Sequence, residues 1–407
     1  MKRKVSFLLI IFMTVCLIAS NGAYAGNTNI DNDYEECVNA IDSFIDAKYS
    51  TLATLQNNAT WNKSTVNCAE NFACIEQQLI TAQLELMNDY KEILRFKNYH
   101  LTKEYGNHSK STSGNVYIDV SVKCEFNYEI SPEVKSAFGM IYTFVLAENE
   151  EGHWVITGRT YPSNFERTFW GNREITVENA VNRKNEIIAS KSAISLEGLM
   201  SDICINNDTD LLLSTNTYTS YAASNKANAA QIAVQYVEPI STTPGSNGYD
   251  YQYPSGYSQK SLDCTNYVSF CLNYGGDIPE DNTGSSKWKR NTYAWYNVDG
   301  FYDYFSSTKN STSKGFFGTT YYTGTTYPSS SVRSNTEKSD IVQFSSVSSN
   351  DWTHSAIVTY VNPSNDVYVC MHDALAYYEQ CSLLSFYLET YPDISYIRFM
   401  KITGYYE

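Results

Sequence analysis

The stretch DCTNYVSFCLNYGG, residues 263–276, predicts a short helix that begins at a cysteine and ends at paired glycines. On a helix that starts at position 264, the residues three, four, seven and eight positions later lie on the same face as Cys264. They form one apolar stripe that would pack inward: Cys264, Tyr267, Val268, Cys271 and Leu272. The helix would therefore be half-buried, with its first cysteine at the amino end and its second two turns deeper, where a core thiol is expected.

The position of Cys264 favours a chemical role for its thiol. Unpaired backbone N–H groups and the helix dipole stabilise a thiolate at a helix amino terminus, and the same N–H groups can bind an oxyanion. A buried core thiol and a disulfide partner are the alternative interpretations. Asp263 occupies the N-cap position, where it either caps the helix or tunes the site electrostatically.

A general base is sought among the five histidines, of which His354 and His372 lie in the same region as Cys264. HSAIVTYV (354–361) and VYVCMH (367–372) flank the turn NPSND and predict a β-hairpin. If Val361 pairs with Val367, His372 stands diagonally beside His354 on one face of the sheet, and Asp373 points to the other face.

This layout predicts a thiol hydrolase without a cofactor. Cys264 would attack a carbonyl carbon, His354 would accept the thiol proton, and His372 would orient the imidazole. Asp373 is the alternative third residue. No CxxC pair or HExxH run suggests a metal site.

Four segments in order carry a resemblance to a known family: DCTNYVSFCLNYGG, WKRNTYAWYNVDGFYDYF (288–305), SDIVQFSSVSSNDWTHSAIVT (339–359) and a strand with a second histidine. Residues 221–399 resemble an amidase family of Gram-positive bacteria that is related to the CHAP and NlpC-type cell-wall hydrolases and to the wider papain-like group. The resemblance implies Cys264 as nucleophile and His354 as base. Phe270 replaces an expected amide residue, and His372-Asp373-Ala374-Leu375 departs from the family's His-Thr-x-Asp ending.

The resemblance implies hydrolysis of amide bonds through a thioester, with a peptide or peptidoglycan of the cell envelope as substrate. A catalytically silent envelope-binding protein is one alternative, and a cysteine protease or transpeptidase acting on proteins is another. Hydrolysis and transfer pass through the same acyl-enzyme, so both remain open.

The amino terminus predicts export. Lys2, Arg3 and Lys4 precede an apolar run and the sequence AYA (23–25), as in a secretory signal peptide of residues 1–25. We expect a secreted protein of the cell envelope without stable membrane insertion after cleavage. The net charge of −15 argues against nucleic acid as a partner. The ten cysteines include Cys16 of the signal peptide, so nine remain and at least one is unpaired.

The sequence predicts an α+β fold in which the thiol hydrolase unit, residues 221–407, has a papain-like architecture. Residues 26–170 form an α+β module, with helices at 31–56 and 73–99 and alternating strands at 115–130 and 139–161. Their order resembles a cystatin-like cone, which would bind an unknown partner; a plain α+β domain is the alternative. Residues 171–220 are a polar connector, across which we expect few contacts.

Overall fold

A computed structural model describes residues 30–55, 67–88, 94–197, 218–239, 251–260, 263–282, 287–307, 315–324, 327–346, 352–373, 377–385 and 394–406. The predicted signal peptide lies outside these residues. Helices pack against antiparallel strands throughout the described chain, which confirms the α+β class in general terms. No helix within the described ranges is long and apolar enough to cross a membrane.

The amino-terminal half contains two long helices, a four-stranded antiparallel arrangement and two further helices. Their bounds are α1 Ile30–Thr54, α2 Glu70–Met87, β1 Phe96–Lys110, β2 Val116–Tyr128, β3 Ser131–Glu148, β4 Trp154–Arg159, α3 Asn164–Trp170 and α4 Val177–Glu197. The predicted first helix and the strands at 115–130 and 139–161 are confirmed. The apolar stripe of α1 packs on the sheet through Cys37, Ile41 and Phe44, all of which are buried.

The predicted helix at 73–99 is wrong at its carboxyl end. Helix α2 ends at Met87, and Phe96 already begins β1. Residues 96–110 have no strong alternation, but they pair with β2 along nearly its whole length. Pairing with a neighbouring strand decides the conformation here, because strand formation depends more on its partner than on local propensity.

The carboxyl-terminal half contains the predicted helix at residue 264 and the predicted hairpin. Its elements are β5 Tyr218–Ser220, α5 Ala223–Tyr236, α6 Cys264–Phe270, α7 Tyr293–Tyr296, α8 Val298–Ser306, β6 Gly315–Gly324, α9 Ser330–Arg333, β7 Ile341–Ser346, β8 Trp352–Val361, β9 Val367–Asp373, β10 Tyr377–Leu383 and β11 Ile394–Tyr406. A π-helical turn, Cys271–Gly275, extends α6 without a break.

One sheet runs through both halves of the described chain. Its strand order is β1-β2-β3-β10-β9-β8-β7-β11-β5, with β4 added to β3 and β6 added to β11. Strand β3 pairs with β10 through Gly139 and Tyr378 among others, and the Ser136 hydroxyl donates to the Cys381 carbonyl at 2.8 Å. The expectation of few contacts across the connector is therefore wrong, whereas the predicted domain boundaries remain a prediction.

The sheet of the carboxyl-terminal half separates two layers of buried side chains. Ile357 and Cys370 belong to the layer that contains α6, together with Tyr267 and Cys271 of the helix. Ala356, Val358, Val369 and Met371 belong to the layer on the opposite side. We call these two sides the helix-facing side and the opposite side of the sheet.

Candidate active site

Cys264 is the first residue of α6 and is buried, with 8% of its surface exposed. Asp263 occupies the N-cap position as predicted, but its side chain makes no capping hydrogen bond to the helix. Cys264 still lies at the amino end of the helix, where the helix dipole favours negative charge.

The paired glycines end the helix for a packing reason. A Cβ atom on Gly275 would lie 2.8–2.9 Å from Ile232 and Ala229 of α5, and one on Gly276 would lie 2.3 Å from the Tyr221 hydroxyl. Only glycine permits this approach, and the chain turns one residue later at Asp277, which has a φ of 53°. The close contact with α5 holds the helix, and with it Cys264, at a fixed depth.

Two buried indoles support the same helix from another side. Trp295 Nε1 donates to Asn266 Oδ1 at 2.9 Å, and Trp288 Nε1 donates to Ser269 Oγ at 3.0 Å. Because both indole donors are satisfied by side chains of α6, the rings fix the rotation of the helix about its axis.

The thiol of Cys264 meets the imidazole of His354, which lies near the start of β8 and is also 8% exposed. Burial by itself raises the pKa of the Cys264 thiol. The charge of His354 and a hydrogen bond from it oppose burial, and the Ser355 amide and the Thr265 hydroxyl add further hydrogen bonds to the sulfur. Together they bring the pKa of Cys264 below its ordinary value, so the site favours a thiolate.

Cys271 has the opposite character although it lies on the same stripe. It is fully buried in the core, and burial raises the pKa of its thiol well above the ordinary value. The structure thus agrees with the prediction of a core thiol at this position. The eight cysteines of the described chain are all free thiols, and Cys264 is among them.

The hairpin register separates the two histidines. Val361 pairs with Val367, as predicted, but Thr359 is an extra residue in β8, and beyond this bulge Val358 pairs with Val369 and Ile357 with Cys370. A shift of one residue moves every following side chain to the other side of the sheet. The prediction that His354 and His372 share one face is therefore wrong.

Contacts confirm this separation. His354 Nε2 lies 3.2 Å from the Met371 sulfur on the opposite side of the sheet. His372 points to the helix-facing side, where it is fully buried between the rings of Tyr251 and Tyr267, with centroid distances of 3.6 and 3.9 Å.

Both ring nitrogens of His372 already face oxygen atoms. Nδ1 lies 2.8 Å from Asp263 Oδ2, and Nε2 lies 3.2 Å from the Tyr236 carbonyl oxygen. Among the described contacts, neither nitrogen reaches His354. His372 therefore braces Asp263, the residue before the cysteine, instead of orienting the imidazole directly.

Asp263 is the centre of this support. Its Oδ2 also accepts from the Tyr253 hydroxyl at 2.6 Å, while Oδ1 accepts from the Lys260 amide at 2.8 Å and from Asn266 Nδ2 at 2.7 Å. Four partners satisfy a buried carboxylate that would otherwise be costly. The sequence interpretation offered a cap or an electrostatic role, and the side chain instead anchors the loop that leads into α6.

Asp373 is the last residue of β9, and its side chain lies outside the described part of the structure. Ile357 with Cys370 is the last pair described between the two strands; the same register extended to the end of β9 would bring position 373 opposite position 354. This backbone placement concerns the alternative third residue, and it arises from the same bulge that moves His372 away.

The sequence interpretation missed several polar residues near the thiol. Ser355, the residue after His354, lies on the helix-facing side. Its hydroxyl lies 2.9 Å from that of Thr265. Gln343 of β7 donates to the Ser355 hydroxyl at 3.1 Å. The available signal was a glutamine inside the apolar strand sequence DIVQF, since a polar residue at a core position requires a partner. Within the described ranges no cluster of histidine, cysteine and acidic residues could hold a metal ion.

Comparison with known proteins adds a family to this geometry. No curated protein and no solved structure matches the chain significantly. Residues 221–395, somewhat under half of the chain, match the model of a family described as "Putative amidase domain". The match confirms the resemblance to an amidase family and supports the hydrolysis of amide bonds as the general activity of this region.

Proposed function

We propose that residues 221–407 form a secreted thiol amidase or peptidase with Cys264 as the nucleophile and His354 as the general base. The contact between the Cys264 thiol and the His354 imidazole at the start of α6 is the observation that carries this proposal. The match to an amidase family supports the same class of reaction from independent information.

The reaction would proceed through a thioester. His354 accepts the thiol proton, the Cys264 sulfur attacks the carbonyl carbon of the amide, and the electron pair of the carbonyl moves onto oxygen, where helix amides would stabilise the charge. The C–N bond then breaks as His354 donates its proton to the departing amine. In the second half, His354 takes a proton from water, hydroxide adds to the thioester, and the carboxylic acid leaves as the thiol re-forms.

The proposal gives different roles to Asp373 and His372, the two candidates for the residue that orients His354. Asp373 would orient the imidazole, a role that is supported by the register of β8 and β9 if it continues unchanged beyond Ile357 and Cys370. His372 and Asp263 act instead as a structural pair that fixes the start of the helix. The proposal therefore favours Asp373 over His372 as the residue that orients His354.

The substrate we propose is a peptide or peptidoglycan amide of the cell envelope. This step depends on the predicted signal peptide and on the resemblance to cell-wall hydrolases with a papain-like core. The amino-terminal module would bind or position a partner, in keeping with its resemblance to a cystatin-like cone.

Activity on purified peptidoglycan tests the proposal. The protein without residues 1–25 is incubated with peptidoglycan, and newly exposed amino groups and carboxylates are quantified by labelling and mass spectrometry. We expect release by the parent protein and none by Cys264→Ala. Cys271→Ala is the matched control, since it removes the other thiol of the same helix without touching His354.

Retained amide cleavage in Cys264→Ala would contradict the proposal. A protein that binds peptidoglycan but leaves every amide intact in both forms would favour the silent binder. Adding a small primary amine separates the remaining alternative, because a transpeptidase would attach the amine to the acyl group where a hydrolase would release the acid.

A further inference from the structure

A chain of buried polar side chains connects Arg398 of β11 to Cys264. Arg398 Nε and Nη2 donate to Gln343 Oε1 at 2.8 and 2.5 Å, and Gln343 Nε2 donates to Ser355 Oγ at 3.1 Å. Ser355 Oγ lies 2.9 Å from Thr265 Oγ1, which lies 3.7 Å from the Cys264 sulfur. The first three residues sit opposite one another on three adjacent strands.

The direction of every hydrogen bond in this chain follows from the arginine. A guanidinium has only donors, so Gln343 must present its carbonyl oxygen to Arg398 and its NH2 group to Ser355. The Ser355 oxygen accepts that bond, which leaves its own proton to be donated to Thr265. The Thr265 oxygen then accepts from Ser355, and its proton is left for the sulfur.

Arg398 is well suited to fix the far end of the chain. It is 3% exposed, and its guanidinium stacks between Tyr302 and Trp352, with distances of 3.3 and 3.8 Å to the ring centroids. Burial lowers the pKa of Arg398 to about 10, but the group remains charged at neutral pH. A cation held flat between two rings cannot turn away from Gln343.

We propose that Arg398, Gln343 and Ser355 are positioning residues that hold the Thr265 hydroxyl as a hydrogen-bond donor to the Cys264 sulfur. Hydrogen bonds that point in one direction along a series strengthen one another, so a change at Gln343 affects the sulfur three hydrogen bonds away. This inference rests on the proposed role of Cys264 as the nucleophile.

Other charged groups near the thiol act from different directions. His354 of β8 contacts the sulfur itself. Asp263 precedes the cysteine and is compensated by His372 of β9. Asp299 and Asp303 of α8 act on Arg398 through charge at longer range. None of these groups depends on the Thr265 proton. The effect of the hydrogen bonds from Arg398 to Cys264 on the thiol can therefore be measured separately from the effect of these charges.

The test measures the pH dependence of Cys264 alkylation by iodoacetamide, followed by peptide mapping, in the full secreted chain. We expect Thr265→Val, which keeps the shape of the side chain, to move the midpoint upward by roughly one pH unit. Thr265→Ser keeps the hydroxyl and should leave the midpoint in place. Gln343→Glu keeps the bond to Arg398 but replaces the NH2 donor with an acceptor, and should also move the midpoint upward.

Each outcome is decisive because the readout is the titration of one thiol and not enzymatic activity. An unchanged midpoint in Thr265→Val overturns the proposal, and so does a Gln343→Glu profile that coincides with the parent. Ser355→Ala replaces either variant that fails to fold and should give the same upward shift. Failure of the proposed function would be recognised separately, as amide cleavage that survives in Cys264→Ala.

Discussion

His354 and His372 differ in what they touch, and this difference gives them different roles. His354 meets the thiol of Cys264, whereas His372 is enclosed between two tyrosine rings and bonded to Asp263. In the proposed reaction, the imidazole in the first position takes part in proton transfer. An imidazole in the second position stabilises a buried carboxylate and, through it, the entrance to α6.

We therefore predict that His354→Ala abolishes amide cleavage with little loss of stability, and that a Cys264→Ala, His354→Ala double variant is no worse than either single one. His372→Ala should lower the free energy of unfolding by about 2–4 kcal/mol, because it leaves a buried carboxylate with one partner fewer. Chemical denaturation and turnover assays measure the two effects. His153→Ala, an exposed histidine, is the control for stability, and a His372→Ala protein of parental stability would contradict the assignment.

Asp373 is predicted to matter for catalysis more than for folding. If it orients the imidazole, Asp373→Ala should reduce kcat by about 10²–10⁴-fold while substrate binding changes little. Steady-state kinetics on an amide substrate measures this. Equal activity in Asp373→Ala and the parent would remove Asp373 from the site and leave His354 without a third residue.

At the scale of elements, the bulge in β8 shows what the sequence could and could not predict. The turn residues and the alternation of the hairpin correctly place Val361 opposite Val367. No local feature of the sequence marks Thr359 as an extra residue, because the bulge is stabilised by its neighbours in the sheet. Its hydroxyl contacts the Tyr368 carbonyl and the Cys381 sulfur, which come from two other strands.

Helix α6 was predictable for the opposite reason. Its starting cysteine and its glycines are local features, and both are confirmed in position. The predicted half-burial is wrong, because all seven residues of the helix are buried and its polar side chains bond to neighbouring elements. The series of hydrogen bonds from Arg398 to Cys264 was not predictable. Arg398, Gln343 and Ser355 are neighbours only across three strands, and the sequence does not determine how these strands pair. Local patterns thus located the proposed nucleophile, and tertiary pairing decided which residues surround it.

A buried charge network in the amino-terminal half gives a prediction about stability. Glu166 of α3 accepts from Arg159 at 2.7 Å and from Lys48 at 2.5 Å. Burial alone would raise the pKa of Glu166, but these two cations hold it down to about 2. Since this pKa lies below that of an unfolded chain, about 4.3, the stabilisation is complete above that value and is lost as the pH falls toward 2.

Glu166→Gln should accordingly cost about 3–5 kcal/mol at neutral pH and flatten the acid branch of the stability curve. Glu186→Gln, which alters an exposed ion pair with Arg173, should cost less than about 1 kcal/mol. Urea titrations between pH 2 and 7 give both quantities. Two variants of equal stability would show that the buried network contributes no more than a surface pair.

For the whole molecule, the pairing of β3 with β10 joins the amino-terminal and carboxyl-terminal halves into one sheet. We call this pairing the seam. The halves share backbone pairing, a side-chain bond from Asn362 to Ser131 at 3.0 Å and an ion pair of Lys123 with Glu238 at 2.6 Å. A chain cut between the halves should therefore stay together. A partner bound by the amino-terminal module would then lie next to the carboxyl-terminal half, and not at the end of a flexible connector.

We test this by placing a specific protease site between residues 198 and 217 and cutting the folded protein. Both fragments should elute together in size-exclusion chromatography and separate only after denaturation. Fragments that separate under native conditions would contradict the importance of the seam and support an autonomous domain from about residue 215 onward.

The reactivity of Cys264 tests the proposed thiol amidase most directly, because no substrate needs to be known. The measurement is the rate of iodoacetamide alkylation of each cysteine against pH, in the parent and in His354→Ala, with sites identified by mass spectrometry. We predict that Cys264 reacts fastest and remains reactive well below about pH 8.5, where a free thiol ionises, and that loss of His354 moves its profile upward. Slow labelling of Cys264 in both proteins, or its recovery in a disulfide, would show that it is a structural thiol and not a nucleophile.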